Sequence, residues 1–166
     1  TGRYSHFGQN NQTRPSSSLS IDEAYIELTE CADSMAAAQK IMLRMQERIK
    51  DEIGLPASIG LGSNKMIAKI ACETGKPQGF VTVEPGMERN FLNPLAVSQM
   101  PGVGPKGSAQ LQSNGLLTLG DIVHCPPEKL LALSGSAGLG LVGFRIDQVM
   151  TQSHEGLSKK VVSVPF

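Results

Sequence analysis

Between Leu19 and Val83 the apolar residues recur first at every second position, then at every third or fourth, and then at every second again. A chain spelled this way is limited to folds in which helices pack on a sheet. From Leu19 to Leu28, Ser20, Asp22, Ala24, Ile26 and Leu28 take one side of an extended chain, and Ile21, Glu23, Tyr25 and Glu27 take the other. Residues 33–53 follow with Met35, Ala38, Ile41, Met42, Met45, Ile49 and Ile53 in one stripe opposite Lys40, Arg44, Glu47 and Lys50. That spacing predicts one amphipathic helix, ended by Gly54 and Pro56. PASIGLG, 56–62, reads as a short strand, Ser63 as an N-cap, and 64–74 as a helix that buries Ile67, Ile70 and Ala71 and keeps Lys65 and Lys69 on another face. The loop GKPQG leads into a further strand from Phe80 to Val83. The order is ββαβαβ, an α+β layer.

Beyond Pro85 the spelling changes. Asn90 to Met100 reads as a connector biased toward extended backbone by its proline, and Pro101 to Gln152 as short helices broken by Gly and Pro. The expected organisation is a polar, disordered lead-in at 1–18, an α+β region at 19–100 and a small all-helical region at 101–152. The 153–166 segment is expected to act as a linker, its β-like SKKVVSVPF stopping without a partner. At 166 residues the chain can form one domain or two small lobes.

Fifteen basic and fifteen acidic residues cancel, with ten and eleven up to Met100 and five and four after it, so neither half is a basic arm. Binding of nucleic acid by charge alone is disfavoured, but a few placed lysines and backbone N–H groups suffice for phosphate contact. Three cysteines, Cys31, Cys72 and Cys125, an odd number with no C-x-x-C, fit reduced thiols and an intracellular home in cytoplasm, nucleoid or nucleus. No apolar run approaches the roughly 20 residues of a membrane span, and no signal-peptide core is present, so a soluble protein without a membrane partner is expected. With no Trp and 4% aromatic residues, base stacking is not the expected binding mode.

The residues with chemistry are few. Asp22 and Glu23 are adjacent, so on one straight strand they diverge; they converge only if the chain bends or bulges there, which predicts a hairpin with the acids at its tip. Such a pair is either solvated charge or a place for hard Mg²⁺, and two ions clamping an in-line displacement normally need a third carboxylate nearby. Glu27 and Glu30 lie in the same segment, and no D-x-D stands elsewhere. Lys76 can cap a helix C-terminus or meet a triphosphate as a point charge. PGVG at 101–104, before a helix, is either a tight turn or a glycine-rich hairpin that leaves backbone N–H groups for a phosphate. His6, His124 and His154 lack ligand spacing.

Three stretches taken in series, SIDEAYIELT, ASIGLGSNKMIAKIACETGKPQG and MPGVGPKGSAQLQSNGLLTLGDI, resemble the Y-family translesion DNA polymerases, and the form S-N-K resembles the polymerase IV and eta-like branch. The resemblance covers roughly Leu19 to Phe166. It implies a catalytic palm hairpin, a palm strand and helix followed by a triphosphate-contacting lysine, and the helix-hairpin-helix of a thumb. It also implies that Asp22 bridges two Mg²⁺ ions, that Glu23 holds the one activating the primer 3′-hydroxyl, and that Lys76 contacts the incoming deoxynucleoside triphosphate. Gly102, Val103 and Gly104 would present amides to a phosphate of primer–template DNA, with Lys106 beside them. By the resemblance, the family's first catalytic aspartate and its fingers are expected before the stretch that begins at Thr1, and its little finger after Phe166. Gly138, Gly140 and Gly143 load the last thumb helix with poor helix formers. The chain is therefore expected to be the C-terminal half of a palm plus a thumb, inactive alone, with any sliding-clamp contact made through the missing regions. Two rival readings remain: a non-catalytic module that binds DNA backbone through 101–152, and another metal-dependent nucleotidyl enzyme with its own third acid.

Overall fold

The computed structural model describes residues 23–133 and the backbone of a strand at 161–165. The predicted lead-in, residue Asp22 with the hairpin tip, and the glycine-loaded helix around 138–143 lie outside the described residues. Strand β1 (Glu23–Glu27) is followed by α1 (Met35–Ile53), β2 (Ile59–Gly62), α2 (Lys65–Thr74), β3 (Phe80–Thr82), α3 (Glu88–Leu92), a 3-10 turn (Val97–Gln99), α4 (Pro105–Ser113), α5 (Leu119–His124) and β4 (Val161–Pro165). A helical stretch at 127–133 lies between α5 and β4. The α+β expectation holds, with a sheet of order β1-β4-β2-β3 in which β2 and β3 are parallel and β4 is antiparallel to both of its neighbours.

The alternation in β2 decides how the helices sit. Ile59 and Leu61 point into a cluster with Met35, Ala38, Met42 and Ile49 of α1, joined by Leu28 and Ala57. Gly60 and Gly62 point the other way, toward α2, and a Cβ on Gly60 would lie 2.0 Å from the Ala68 carbonyl oxygen. Glycine is therefore what lets the α2 backbone rest directly on the strand, so the helices cover both faces.

Helix α1 begins two residues later than predicted, with the Ser34 side chain accepting from the Ala37 N–H at 3.1 Å, and stops as predicted at Gly54, with a φ of 74°. Its buried stripe is narrower than the sequence stripe. Met35, Ala38, Met42 and Ile49 are buried, whereas Ile41 is 37% and Ile53 62% exposed. The buried set follows a three-four spacing, and Ile41 and Ile53 fall off that line as the helix turns.

Three further expectations are corrected. The N-cap of α2 is Asn64, whose Oδ1 accepts from the Ile67 N–H at 3.0 Å, and not Ser63. Ser63 is buried and donates instead to Oε1 of the buried Glu88 at 2.7 Å. The connector at 90–100 is not merely extended, because α3 and the 3-10 turn bury Leu92, Val97 and Met100. The 161–165 strand does not stop without a partner: Ala24 pairs with Val164 on one side and Leu61 with Val162 on the other.

A second buried cluster runs from Ile67, Ile70 and Ala71 of α2 through Val83, Leu92, Val97 and Met100 to Leu111, Leu119, Ile122 and Leu130. The boundary expected at Met100 thus falls inside a continuous core. The helical part is tied across its middle by bonds from the Val97 N–H to the Leu117 carbonyl (3.0 Å) and from the Leu119 N–H to the Leu95 carbonyl (2.8 Å). A capping box starts α5, with Thr118 Oγ1 accepting from the Asp121 N–H and Asp121 Oδ2 accepting from the Thr118 N–H at 2.8 Å.

Candidate functional site

Glu23 opens β1 on the side facing α2. Successive same-face residues on a strand are about 6.6 Å apart and residues one helical turn apart about 6 Å, so the two spacings can be matched. They are matched here: the Lys69 ammonium bonds to Oε1 of Glu23, and one turn earlier Lys65 Nζ stands 5.8 Å from the centroid of the Tyr25 ring. Both ends of the Glu23–Lys69 pair are mostly shielded, at 15% and 24% side-chain exposure. The row continues, because Glu73 Oε1 lies 3.8 Å from Lys69 Nζ and 2.9 Å from Lys76 Nζ. Four charges of alternating sign thus join the candidate metal acid to the candidate triphosphate lysine.

Electrostatics along the row follow from this packing. Burial works to lower the Lys69 ammonium, but the hydrogen bond and charge of Glu23, with Tyr25 and Glu73, outweigh it and hold its pKa above the ordinary lysine value. Cys72, on the neighbouring turn, is pushed up to about 11, first by burial and then by Glu73, and its Sγ donates to the Ser58 carbonyl at 3.3 Å. It is an inert thiol packed in the core. Cys31, Cys72 and Cys125 are all free.

Of the acid pair, Glu23 is placed and Asp22 lies outside the described residues. Glu23 has the hard oxygen chemistry that suits Mg²⁺. Among the described residues, however, no group of three or more His, Cys, Asp or Glu side chains could hold an ion. The fit to a divalent cation therefore depends on Asp22 joining Glu23, whose bond to Lys69 uses only Oε1. Lys76 follows the end of α2 and is 43% exposed, its ammonium engaged by Glu73 and not by the helix terminus. Lys69, placed by the sequence only on a helix face away from the core, and Glu73 are the residues missed. The K-x-x-x-K-x-x-x-E-x-x-K spacing of 65–76 was their visible signal.

The glycine hairpin lies elsewhere, between the 3-10 turn and α4. Gly102 has a φ of 88°, in the left-handed region, and Gly104 caps α4 with Pro105 at the first helical position. A Cβ on either glycine would meet nothing within 4 Å. The Val103 N–H turns back to the Met100 carbonyl at 3.0 Å, so the expectation of three presented amides is corrected at Val103. Among the described residues no backbone acceptor meets the amides of Gly102 and Gly104, and Lys106 is exposed one residue beyond Pro105.

The impB/mucB/samB family matches residues 4–73, and the helix-hairpin-helix motif of the same family matches residues 85–116. The chain belongs to this family, that of the Y-family DNA polymerases. Within it, the chain is 39% identical over 119 residues to DNA polymerase IV 2 of Mesorhizobium japonicum, a match covering 72% of this chain and 29% of that protein. It is 34% identical over 140 residues to DNA polymerase IV of Methanoculleus marisnigri, covering 83% of this chain and 39% of that protein. The chain thus spans less than two fifths of the length of either relative. Among solved structures, the insertion ternary complex of Dbh DNA polymerase superposes with a TM-score of 0.65 at 22% identity, over 73% of this chain and 36% of that one, which shows a shared fold. Among the described residues no helix is long and apolar enough to cross a membrane.

Proposed function

We propose that the chain supplies the C-terminal half of the palm (19–100) and the thumb (101–152) of a polymerase that copies damaged templates by two-metal nucleotidyl transfer. The observation that supports it most is the continuous row Glu23, Lys69, Glu73, Lys76. It joins the two residue types the reaction needs, a carboxylate for Mg²⁺ and a cation for a triphosphate. Asp22 and Glu23 would hold two Mg²⁺ ions, which supply activation of the primer 3′-hydroxyl and neutralise charge on the phosphates. Attack of that hydroxyl on the α-phosphate of a deoxynucleoside triphosphate extends the primer and releases pyrophosphate. Lys76 leaves Glu73 for the triphosphate oxygens, a short reach for a half-exposed ammonium. Gly102 and Gly104 offer N–H groups, and Lys106 a charge, to a backbone phosphate of primer–template DNA.

Deoxynucleoside triphosphate binding to the chain, measured by calorimetry with and without Mg²⁺, tests the reading. Lys76→Ala is expected to weaken binding about tenfold, the loss of one charge-assisted contact, and Glu23→Gln to remove the Mg²⁺-dependent part. Binding indifferent to both changes would overturn it. With two of the reaction's three carboxylates assigned, the 166-residue chain alone is expected not to extend a primer, and extension with all four triphosphates would contradict that.

The second reading, a DNA-backbone module on a palm scaffold, is favoured by the open amides of Gly102 and Gly104. It predicts duplex binding that Gly102→Val and Gly104→Val weaken and Asp22→Ala leaves unchanged, with no triphosphate binding at all.

A further inference from the structure

We infer that Gln46 of α1, together with Ser58, is a positioning residue for Lys76: it pins the loop that carries the lysine and so sets where the ammonium stands. The role rests on the reading of Lys76 as a triphosphate contact. Lys76 is the first residue beyond Gly75, where α2 ends, and the chain must turn back within residues 76–79 to enter β3 at Phe80. The turn closes tightly at its base, since a Cβ on Gly79 would fall 2.0 Å from the Gly75 carbonyl oxygen. Its far side is held in an unfavourable shape. Gln78 has a φ of 59°, in the left-handed region that a residue with a side chain rarely adopts. Such a conformation persists only where the surroundings hold it. Two side chains from outside the loop do so. Ser58, buried just ahead of β2, accepts from the Gln78 N–H at 3.0 Å. The Gln46 side-chain amide donates to the Ala57 carbonyl at 2.8 Å and to the Gln78 carbonyl at 3.3 Å, with the Gly79 carbonyl 3.4 Å from the same nitrogen. Packing between the loop and α1 shares little of this task, because a cavity of about 200 Å³ opens there, lined by Gln46, Glu47, Lys50, Pro56, Ala57 and Gln78. Apolar contact with the α1 cluster resumes at Phe80. Lysine carries its charge on a flexible stem, so the reach of the ammonium depends on where its Cα is fixed. A loop released from Gln46 spreads that Cα over several positions, and binding a triphosphate then costs the entropy of ordering it again.

The test is a double-mutant cycle on the 166-residue chain, probed with deoxyadenosine triphosphate as its Mg²⁺ complex, so that no ion held by the chain is presupposed. Gln46→Met keeps the bulk of the side chain and removes its donor. It is expected to weaken nucleotide binding severalfold, less than the about tenfold of Lys76→Ala. It should also speed hydrogen exchange of the Gln78 amide severalfold, with the helix amides of α2 unchanged. In a Lys76→Ala background the same change should leave nucleotide binding unaltered, because the pin acts through that ammonium. A merely structural glutamine would weaken binding equally in both backgrounds, and that result would overturn the inference while leaving Lys76 as a triphosphate contact. Faster Gln78 exchange with binding at the parent level would overturn it too. Binding that Lys76→Ala does not weaken would instead overturn the reading of Lys76, and the positioning role with it. Should Gln46→Met not fold, Ser58→Ala, which removes the other bond to Gln78, takes its place in the same cycle.

Discussion

At the scale of single residues, the buried Ser63–Glu88 bond shows how a side chain predicted for one task performs another. S-N at the start of a helix offers two candidate caps, and only one can take the capping position. Asn64 takes it, leaving Ser63 to answer a carboxylate 1% exposed. Ser63→Ala should therefore destabilise the fold by about 1–3 kcal/mol, the cost of leaving a buried acceptor short of its donor, read as a lower urea midpoint with unchanged slope. Asp121 gives a pH-dependent counterpart. Bonds from the Thr118 and Leu117 N–H groups, and that with the Thr118 side chain, hold its carboxyl below the ordinary aspartate value. A depressed pKa stabilises the fold above the unfolded-state pKa and stops doing so as pH falls through the folded-state value. Asp121→Asn should flatten the acid limb of the stability curve between those two values at little cost at neutral pH, because an amide oxygen can still accept the Leu117 and Thr118 N–H bonds and solvent screens the lost charge. Much at this scale was legible: the two-residue alternation put Glu23 and Tyr25 on one side, and 65–74 put Lys65 and Lys69 on one face. That these two faces meet depends on packing between elements 40 residues apart, which no local pattern encodes.

At the scale of elements, β2 and α2 are the pair on which the site depends. The I-G-L-G alternation carries apolar bulk to α1 and bare backbone to α2, and this close approach sets where Lys69 reaches β1. Gly60→Ala should cost at least the upper end of the roughly 1–3 kcal/mol typical of overpacking, because the added carbon meets backbone and not a movable side chain. Thermal unfolding followed by circular dichroism would show it, with Gly104→Ala as the contrast at an open position. The predicted strands and helices of 33–83 are present with ends shifted by at most three residues. The sequence reading failed on the 90–100 connector, because three- and five-residue helical turns carry too few residues to show a period, and their stability comes from burying Leu92 and Val97 in a core built by distant elements.

At the scale of the whole molecule, the α+β character and the helix-hairpin-helix were readable, and the place of 161–165 was not. A run of alternating apolar residues identifies a strand but not its neighbours, and insertion between β1 and β2 joins residues more than 95 positions apart. Neutral overall charge sets an expectation for DNA. Binding should rest on few phosphate contacts and so fall gently with salt, with a log–log slope of roughly −1 to −3. Lys106→Ala should make that slope shallower by about 1, measured by fluorescence anisotropy on a primer–template duplex; a slope unaffected by the change would remove Lys106 from the interface.

The central claim is that the backbone folds back at positions 22 and 23 so that both carboxylates serve one cation beside the Lys69–Lys76 row. Anomalous diffraction from crystals soaked in Mn²⁺ tests it most directly. The account predicts a peak between the Asp22 and Glu23 carboxylates. A continuous straight strand with the two side chains on opposite faces of the sheet, and no peak between them, would contradict it.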